Sequence, residues 1–311
     1  MIDVLYIVVP CFNEEEVLPV AAERLGGKLL SLIEREVVSP KSRILFVDDG
    51  SKDNTWEIIS GLHSVKNSLV SGLRLASNVG HQNALLAGLY KAVEVCDVTI
   101  TIDADLQQDI DAIDSFLDKY YEGNDIVFGI RSNRRSDTLF KKTSALFFYK
   151  TMSAFGVKIN KNHADYRLLS KKAILALMDY KEVNLFLRGI IPLVGFKTDV
   201  VYFDVKDRFA GKSKYSLAKM TALAFNGITS FSIRPIRAIA LVGLLSFLVS
   251  IIITIYHLWF YLFGGIPVEG WTTVVISIWA LGGLQLVAIG IVGEYIGKTY
   301  LETKERPKFT V

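Results

Sequence analysis

Cysteine is nearly missing from this chain: 311 residues hold two, Cys11 and Cys96. They lie far apart and share no metal-ligand spacing. That excludes a disulfide framework and places the catalytic part in a reducing compartment. Charge of one sign is also scarce. The net charge is +3 and the pI about 8.6, too mild a basic excess for a nucleic-acid binder. There is no internal repeat and no low-complexity tract. The N-terminus shows no basic segment and no small-residue cleavage site, and the apolar run from Val4 to Val9 is too short for a secretory leader and reads as a strand.

The most informative absence is of any charge in two long runs near the C-terminal end. Ile239 to Phe263 carries no Asp, Glu, Lys or Arg over roughly 25 residues, and Thr272 to Gly293 none over roughly 22, each enough to span a bilayer. The composition is 51% hydrophobic with a mean hydropathy of +0.35, and the excess sits in these runs. Only Glu269 is charged between them. Arg234 and Arg237 precede the first run, and Lys298, Lys304, Arg306 and Lys308 follow the second. The positive-inside rule then puts both outer flanks, and the whole preceding domain, in the cytoplasm. Trp259, Tyr261 and Trp271 fall at the opposite interface. Ser216 to Ser232 has apolar residues at helical spacing (Leu217, Met220, Leu223, Ala224) beside Lys219, the pattern of an interfacial helix lying on a membrane. A soluble two-helix core is the competing reading.

What precedes these runs alternates strand and helix, which predicts an α/β domain with a largely parallel sheet. Val98 to Ile102 is β-branched and apolar and leads straight into Asp103 and Asp105. An i, i+2 spacing puts both carboxylates on one side if the extended conformation persists. Such a pair repels itself unless a cation or a shared proton relieves it. Mg²⁺ or Mn²⁺ would do so while reaching substrate phosphates. A solvated turn capping the next helix is the alternative. The same arrangement recurs. Val4 to Val9, ended by Pro10, delivers Asn13 and Glu14, with a helix N-cap at Asn13 as the other reading. Ile44 to Val47 delivers Asp48 and Asp49 to a Gly50 turn, where a carboxylate is placed to accept hydrogen bonds from a ribose or a base. Ligands bind at that edge in open α/β sheets.

Further strands are expected over Leu69 to Leu75, Asp125 to Gly129 and Phe196 to Val205. A helix is expected to open with the stretch Asn78 to Ala84 and run through Ala92, and others from Asp109 to Glu122 and over the Phe-rich run Leu139 to Phe155. Gly80 and Ala84 are small enough for a ligand or strand to approach closely. His81 has no visible metal partner and reads as an ordinary helix-start histidine. Arg131, just past its strand, suits a phosphate because the guanidinium fork matches phosphate oxygens, with a solvated surface arginine as the other reading. The stretch from Asn162 to Leu169 reads as a polar cluster before a short helix, with Asp165 a catalytic acid or base, or an N-cap. Arg208 to Tyr215 is a basic, Gly-containing loop whose Arg208, Lys212 and Lys214 suit phosphate or anionic lipid headgroups.

The series PCFNEE, VDDGSKDNT, NVGHQNALLAG, IDADLQ, GIR, ADYRLLS, RFAGKSKYS and the terminal GEYIGKTYLETKERPKF resembles the family 2 polyprenyl-phosphate glycosyltransferases of GT-A fold. Within them it is most similar to the bacterial bactoprenol glucosyltransferases, relatives of dolichol-phosphate mannose synthases. The match runs in order over nearly the whole chain.

The resemblance implies a GT-A domain over 1–213, an interfacial helix over 214–235, two transmembrane helices over 236–298 and a cytoplasmic tail over 299–311, at the cytoplasmic (inner) membrane. It implies that Pro10, Asn13, Glu14, Asp48 and Asp49, with Asp103 and Ala104, line the nucleotide-sugar pocket. Asp103, Asp105 and Gln107 would surround Mg²⁺ or Mn²⁺ and the diphosphate. Arg131, Arg208 and Lys214 would hold the acceptor phosphate.

Asp165 matches the acid proposed as catalytic base. A phosphate monoester is already mostly ionised at neutral pH, its second pKa being near 6, so orienting the sugar, or an arginine such as Arg167, is the other role open to Asp165. The implied reaction moves one hexose, with UDP-glucose the favoured donor, onto undecaprenyl phosphate, inverting the anomeric carbon. A flippase and a second glycosyltransferase would then use the product to decorate a glycan, and a homo-tetramer fits the family. UDP-N-acetylglucosamine, UDP-galactose and GDP-mannose are alternative donors. A processive polysaccharide synthase is a poorer fit, because no tryptophan follows an arginine and two spans make a poor channel. A membrane nucleotide sensor is poorer still, because the acids are intact.

Overall fold

The computed structural model describes residues 2–132, 163–182, 187–204, 234–263 and 270–311. The expected helix over 139–155, the interfacial helix over 216–232, and both Arg208 and Lys214 lie outside them. The chain divides into two compact units. One holds the sheet together with Arg306–Val311, and the other holds the two long apolar helices.

In the first unit, β1 (Leu5–Cys11), β2 (Arg43–Asp48), β3 (Val70–Arg74), β4 (Val98–Thr101), β5 (Ile126–Arg131), β6 (His163–Ser170) and β7 (Thr198–Phe203) form one sheet in the order β3-β2-β1-β4-β6-β5-β7. All pairings are parallel except those of β6, which runs antiparallel between β4 and β5. The central strands are buried on both faces, which is why β1 and β2 read as unbroken apolar runs rather than alternating ones. On one face α1 (Leu18–Glu34) buries Leu18, Ala21, Ala22, Leu25, Leu29 and Leu32, a stripe at the 3.6-residue period.

Helix α3 (His81–Ala92) packs on β1 and β2. Its close contact is made at Gly88, where a Cβ would lie 2.4 Å from Val8 Cγ1 and 2.7 Å from Val47 Cγ2. The small residues that matter for packing therefore include Gly88. At Gly80, which has a φ of 88°, an added Cβ would meet nothing within 4 Å. Gly88→Ala is expected to destabilise the protein by about 1–3 kcal/mol through overpacking. A thermal unfolding midpoint equal to the parent's would contradict this helix–sheet contact.

Three expectations need correction. Strand β1 does not stop at Pro10 but runs to Cys11, with Pro10 paired to Val47. The Ile102 amide donates to the Val8 carbonyl, so Val8 and Pro10 turn their backbone polar groups toward β4. Because β4 ends at Thr101, the N–H that proline lacks has no ladder partner to lose. Asn13 is not a helix cap; it adopts a φ of 53° in a loop, and α1 begins later, at Leu18. The polar cluster expected before a short helix is itself a strand, and Asp165 is not an N-cap. From His163 it is β6, and the N-cap of the following α5 (Lys171–Met178) is Ser170, whose Oγ accepts from the Ala173 amide.

In the second unit, α7 (Arg234–Phe263) and α8 (Trp271–Thr303) are 30 and 33 residues long. Both are long and apolar enough to cross a membrane. Leu244, Ile252, Leu286 and Ile289 are exposed on them, and apolar surface of that extent requires a lipid or protein cover. Helix α8 continues beyond the charge-free run, through Glu294 and Lys298.

Candidate active site

Strands β1, β2, β4 and β5 run in one direction, so Cys11, Asp48, Thr101 and Arg131 end them at a common edge. Because β6 is antiparallel, its first residues lie at that same edge. Topology alone therefore brings Asp165 beside the segment that follows β4.

The loops after β1 and β2 are stitched together. The Asn13 amide donates to Ser51 Oγ, and Asn13 Oδ1 accepts from the Lys52 amide, both at 2.9 Å. The Glu14 amide donates to Thr55 Oγ1 at 2.9 Å. Asp48 is fully buried at the end of β2. Its Oδ1 accepts from the Ser51 amide at 3.0 Å. Its Oδ2 lies 3.6 Å from Arg74 Nε and has no hydrogen-bond partner among the described residues. Asp49 is occupied differently: its two oxygens accept from the Val79 and Gly80 amides at 2.7 and 3.0 Å, fixing the connection between β3 and α3. Burial pushes its carboxyl above the ordinary value, and those two amides oppose the shift.

After β4 the chain leaves the extended state. Asp103 and Asp105 are partly exposed while Ala104 and Leu106 are buried, the alternation expected of an i, i+2 pair, and Leu106 then turns with a φ of 56°. Asp103 is gripped by Gln108: its amide donates to Gln108 Oε1 at 2.9 Å, and Gln108 Nε2 donates to Asp103 Oδ2 at 2.7 Å. Gln107 contributes only its amide to Asp105 Oδ1, at 3.2 Å. His81, the first residue of α3, stands between two acids, its Nε2 3.6 Å from Asp103 Oδ1 and 3.8 Å from Asp165 Oδ2.

Asp165 is held by two guanidinium groups. Arg188, on α6 (Leu187–Ile190), donates from Nε to Oδ1 at 3.2 Å and from Nη2 to Oδ2 at 2.8 Å. Arg167 Nη2 also donates to Oδ1. Arg167 is 2% exposed and Arg188 33% exposed, so Arg188 is the member of the pair open to solvent. Burial alone would push the Asp165 carboxyl up, but Arg188 and Arg167 outweigh it and hold it far below the usual carboxylate range. Thr101 Oγ1 donates to the Asp165 carbonyl at 2.8 Å, locking the residue to the end of β4. Arg131 ends β5 with its Nε buried and without a hydrogen-bond partner among the described residues.

No group of three His, Cys, Asp or Glu side chains converges on a metal position among the described residues. The donor set is instead an acid pair. Burial raises the Asp103 carboxyl, the nearby charges of Asp165 and Asp105 raise it further, and His81 and Arg188 oppose them. A cluster of acids under that strain fits a hard divalent cation that takes one or two protein carboxylates and completes its shell with substrate oxygens. Asp103 and Asp105 would hold it.

A sequence profile described as Glycosyl transferase family 2 matches residues 6–177, which span β1 through most of α5 and contain Asp48, Asp103, Asp105 and Asp165. The chain belongs to glycosyltransferase family 2. The transferase is 53% identical over 308 residues to "Uncharacterized glycosyltransferase YkoT" of Bacillus subtilis, covering 99% of this chain and 91% of that one. It is 40% identical to "Prophage bactoprenol glucosyl transferase homolog" of Escherichia coli, over 98% of this chain and 97% of that one. It is 39% identical to "Bactoprenol glucosyl transferase" of Shigella phage SfX, again over 98% and 97%. The GT-A architecture expected of the family is the one observed: a mostly parallel sheet with a single antiparallel strand.

Of the expected site residues, the structure brings Pro10, Asn13, Glu14, Asp48, Asp49, Asp103, Ala104, Asp105, Gln107, Arg131 and Asp165 to this one edge. Three participants were not recognised in the sequence. Gln108 is indistinguishable by type from Gln107, and only the turn at Leu106 decides which of them faces Asp103. His81 was read as a plain helix start. Arg188 lies 23 residues after Asp165, with no local pattern linking them.

Proposed function

We propose that this transferase moves a single hexose, glucose from UDP-glucose being favoured, onto undecaprenyl phosphate at the cytoplasmic face of the membrane, with inversion. The observation that carries the reading is the array Asp103, His81, Asp165 and Arg188 at the sheet edge beside the buried, half-satisfied Asp48. The printed names of the bactoprenol glucosyl transferase relatives support this acceptor and this sugar. Helices α7 and α8, with Arg234 and Arg237 in the first turn of one and Lys304 just after the other, support a membrane-held acceptor reached from the basic side.

The Oδ2 of Asp48, which accepts no hydrogen bond among the described residues, suits a base or ribose donor of the nucleotide. Asp103 and Asp105 would hold Mg²⁺ or Mn²⁺, which would supply positive charge to the departing diphosphate. A phosphate oxygen of the lipid attacks the anomeric carbon, the bond from that carbon to the diphosphate breaks, and the electron pair leaves with UDP. Because the attacking oxygen is already ionised, no proton has to be removed. Asp165 keeps its negative charge throughout and serves to fix the Arg188 guanidinium. Arg131, with its buried unpartnered Nε, is placed to meet phosphate at the same edge, and Arg208 and Lys214 are assigned to the acceptor phosphate from the sequence.

The test is incubation of membranes bearing the enzyme with radiolabelled UDP-glucose, UDP-N-acetylglucosamine, UDP-galactose or GDP-mannose, undecaprenyl phosphate and either metal. Glucose label is expected in the lipid fraction, with strong dependence on the added cation. Absence of label from the lipid fraction with every donor would refute the proposal. Label from another donor alone would correct the sugar and leave the reaction class standing.

A further inference from the structure

The residues Arg306–Val311 belong to the sheet unit and touch it at three places away from the carboxylate cluster. The Ala76 amide donates to the Thr310 carbonyl at 2.9 Å. The Phe309 ring meets the Tyr90 ring at 6.0 Å and 62°, edge to face. Lys308 Nζ donates to the Tyr180 carbonyl at 3.0 Å. The three anchors lie on different elements: the exit of β3, helix α3, and the segment just after α5.

Ala76 opens the connection from β3 to α3, and this connection is held at its other residues by the nucleotide edge. Leu75 donates its amide to the Asp48 carbonyl at 2.9 Å. Val79 and Gly80 donate theirs to the Asp49 carboxylate. Gly50 packs so closely against Ser77 that a Cβ there would lie 2.7 Å from the Ser77 carbonyl carbon. The next residue, His81, stands between Asp103 and Asp165. The strap, residues 76–80, the Asp48–Gly50 segment and His81 are thus coupled through consecutive direct contacts.

We propose that the strap Arg306–Val311 is a positioning element of the donor site. By fixing residues 76–80 it holds the Asp48–Asp49 segment and the start of α3 in place, and so sets affinity for the nucleotide sugar without touching it. The inference rests on the functional reading above. It concerns the donor side, because the Thr310 contact leads through Ala76 to the nucleotide edge.

The experiment compares the parent with two otherwise complete proteins, one carrying Lys308→Ala and Phe309→Ala together and one ending at Arg306. Measured in detergent are kcat, the KM for UDP-glucose, the KM for undecaprenyl phosphate, the melting temperature, and hydrogen exchange at the amides of 76–80. Loss of a backbone hydrogen bond and a ring contact predicts a donor KM raised about 3–10-fold. The acceptor KM and kcat at saturating donor are expected to stay within about twofold of the parent, because uniform donor binding alone is affected. Exchange at Val79 and Gly80 is expected to quicken. An unchanged donor KM overturns the proposal. So does a joint fall of kcat and both affinities in step with the melting temperature, which marks general destabilisation. If the parent itself transfers no hexose, it is the functional reading that fails. Exchange at Val79 and Gly80 then decides the role of the strap by itself, and unchanged exchange overturns it.

Discussion

Asp103→Asn is expected to lower kcat for sugar transfer by about 10²–10³-fold, the usual loss when one group stabilising a developing charge is removed. The substitution keeps the size of the side chain, and the amide oxygen of asparagine still accepts from Gln108 Nε2, so the turn at Leu106 should hold. What is lost is the negative charge, and with it half of the acid pair. The cation concentration for half-maximal rate should therefore rise along with the fall in kcat. Gln108→Leu provides the complementary measurement. It leaves the Asp103 carboxylate intact but removes both bonds that orient it, and loosening such an orienting contact typically costs about 10–100-fold. If Asp103→Asn transferred sugar at the parental rate with an unchanged metal requirement, Asp103 would have no place in the site.

The second large effect concerns the carboxylate of Asp165. Asp165→Asn removes the anion between Arg188 and the buried Arg167, leaving an uncompensated interior charge. Breaking a buried ion pair in that way costs about 3–5 kcal/mol. The folded-state pKa of Asp165 lies below its unfolded value, so the cluster adds its full stability above the unfolded carboxylate range. That stability is lost progressively as pH falls from the unfolded carboxylate range through the depressed folded value. A reduced melting temperature at neutral pH is therefore expected, with the difference from the parent shrinking toward strongly acidic pH.

Activity should fall as well, and its pattern distinguishes two roles. A general base predicts that Arg188→Gln is mild and Asp165→Asn severe, with an acidic limb in the pH profile of kcat. A positioning anion predicts that Arg188→Gln reproduces most of the loss, and that the double variant is little worse than either single one, as for residues acting as a unit. It also predicts a profile free of any acidic limb from this group at pH values above the ordinary carboxylate pKa of about 4. The two-pronged grip of Arg188 on Asp165 favours the second pattern. A severe Asp165→Asn beside a near-parental Arg188→Gln would restore the base.

Much of this site is legible in the sequence because its acids follow apolar strands directly. Asp48, Asp103 and their neighbours sit where periodicity stops, and a parallel sheet delivers all such stops to one edge. β6 is harder to read. Asp165 and Arg167 place two charges at alternate positions of an eight-residue strand, which breaks the apolar pattern expected of an interior strand. They are tolerated because Asp165 pairs with both arginines, a compensation that involves α6 and cannot be read locally. Pro10 misleads in the opposite sense: proline suggests a strand end, yet here its missing amide falls where the neighbouring strand has already stopped. Gln108, His81 and Arg188 are illegible for a common reason. Each acquires its role from a partner contributed by another turn or element, and residue type does not name the partner.

The antiparallel pairing of β6 has a consequence for charge. Thr101 of β4 stands opposite Arg167, while Asp165, two residues earlier, reaches the edge. Side chains on a strand return to the same face every second residue, so the smallest slip that preserves the faces would bring Arg167 to the place of Asp165. A cation would then stand where an anion now faces His81 and Arg188. The sign of the charge that faces His81 and Asp103 is thus written into the hydrogen-bond ladder between two strands.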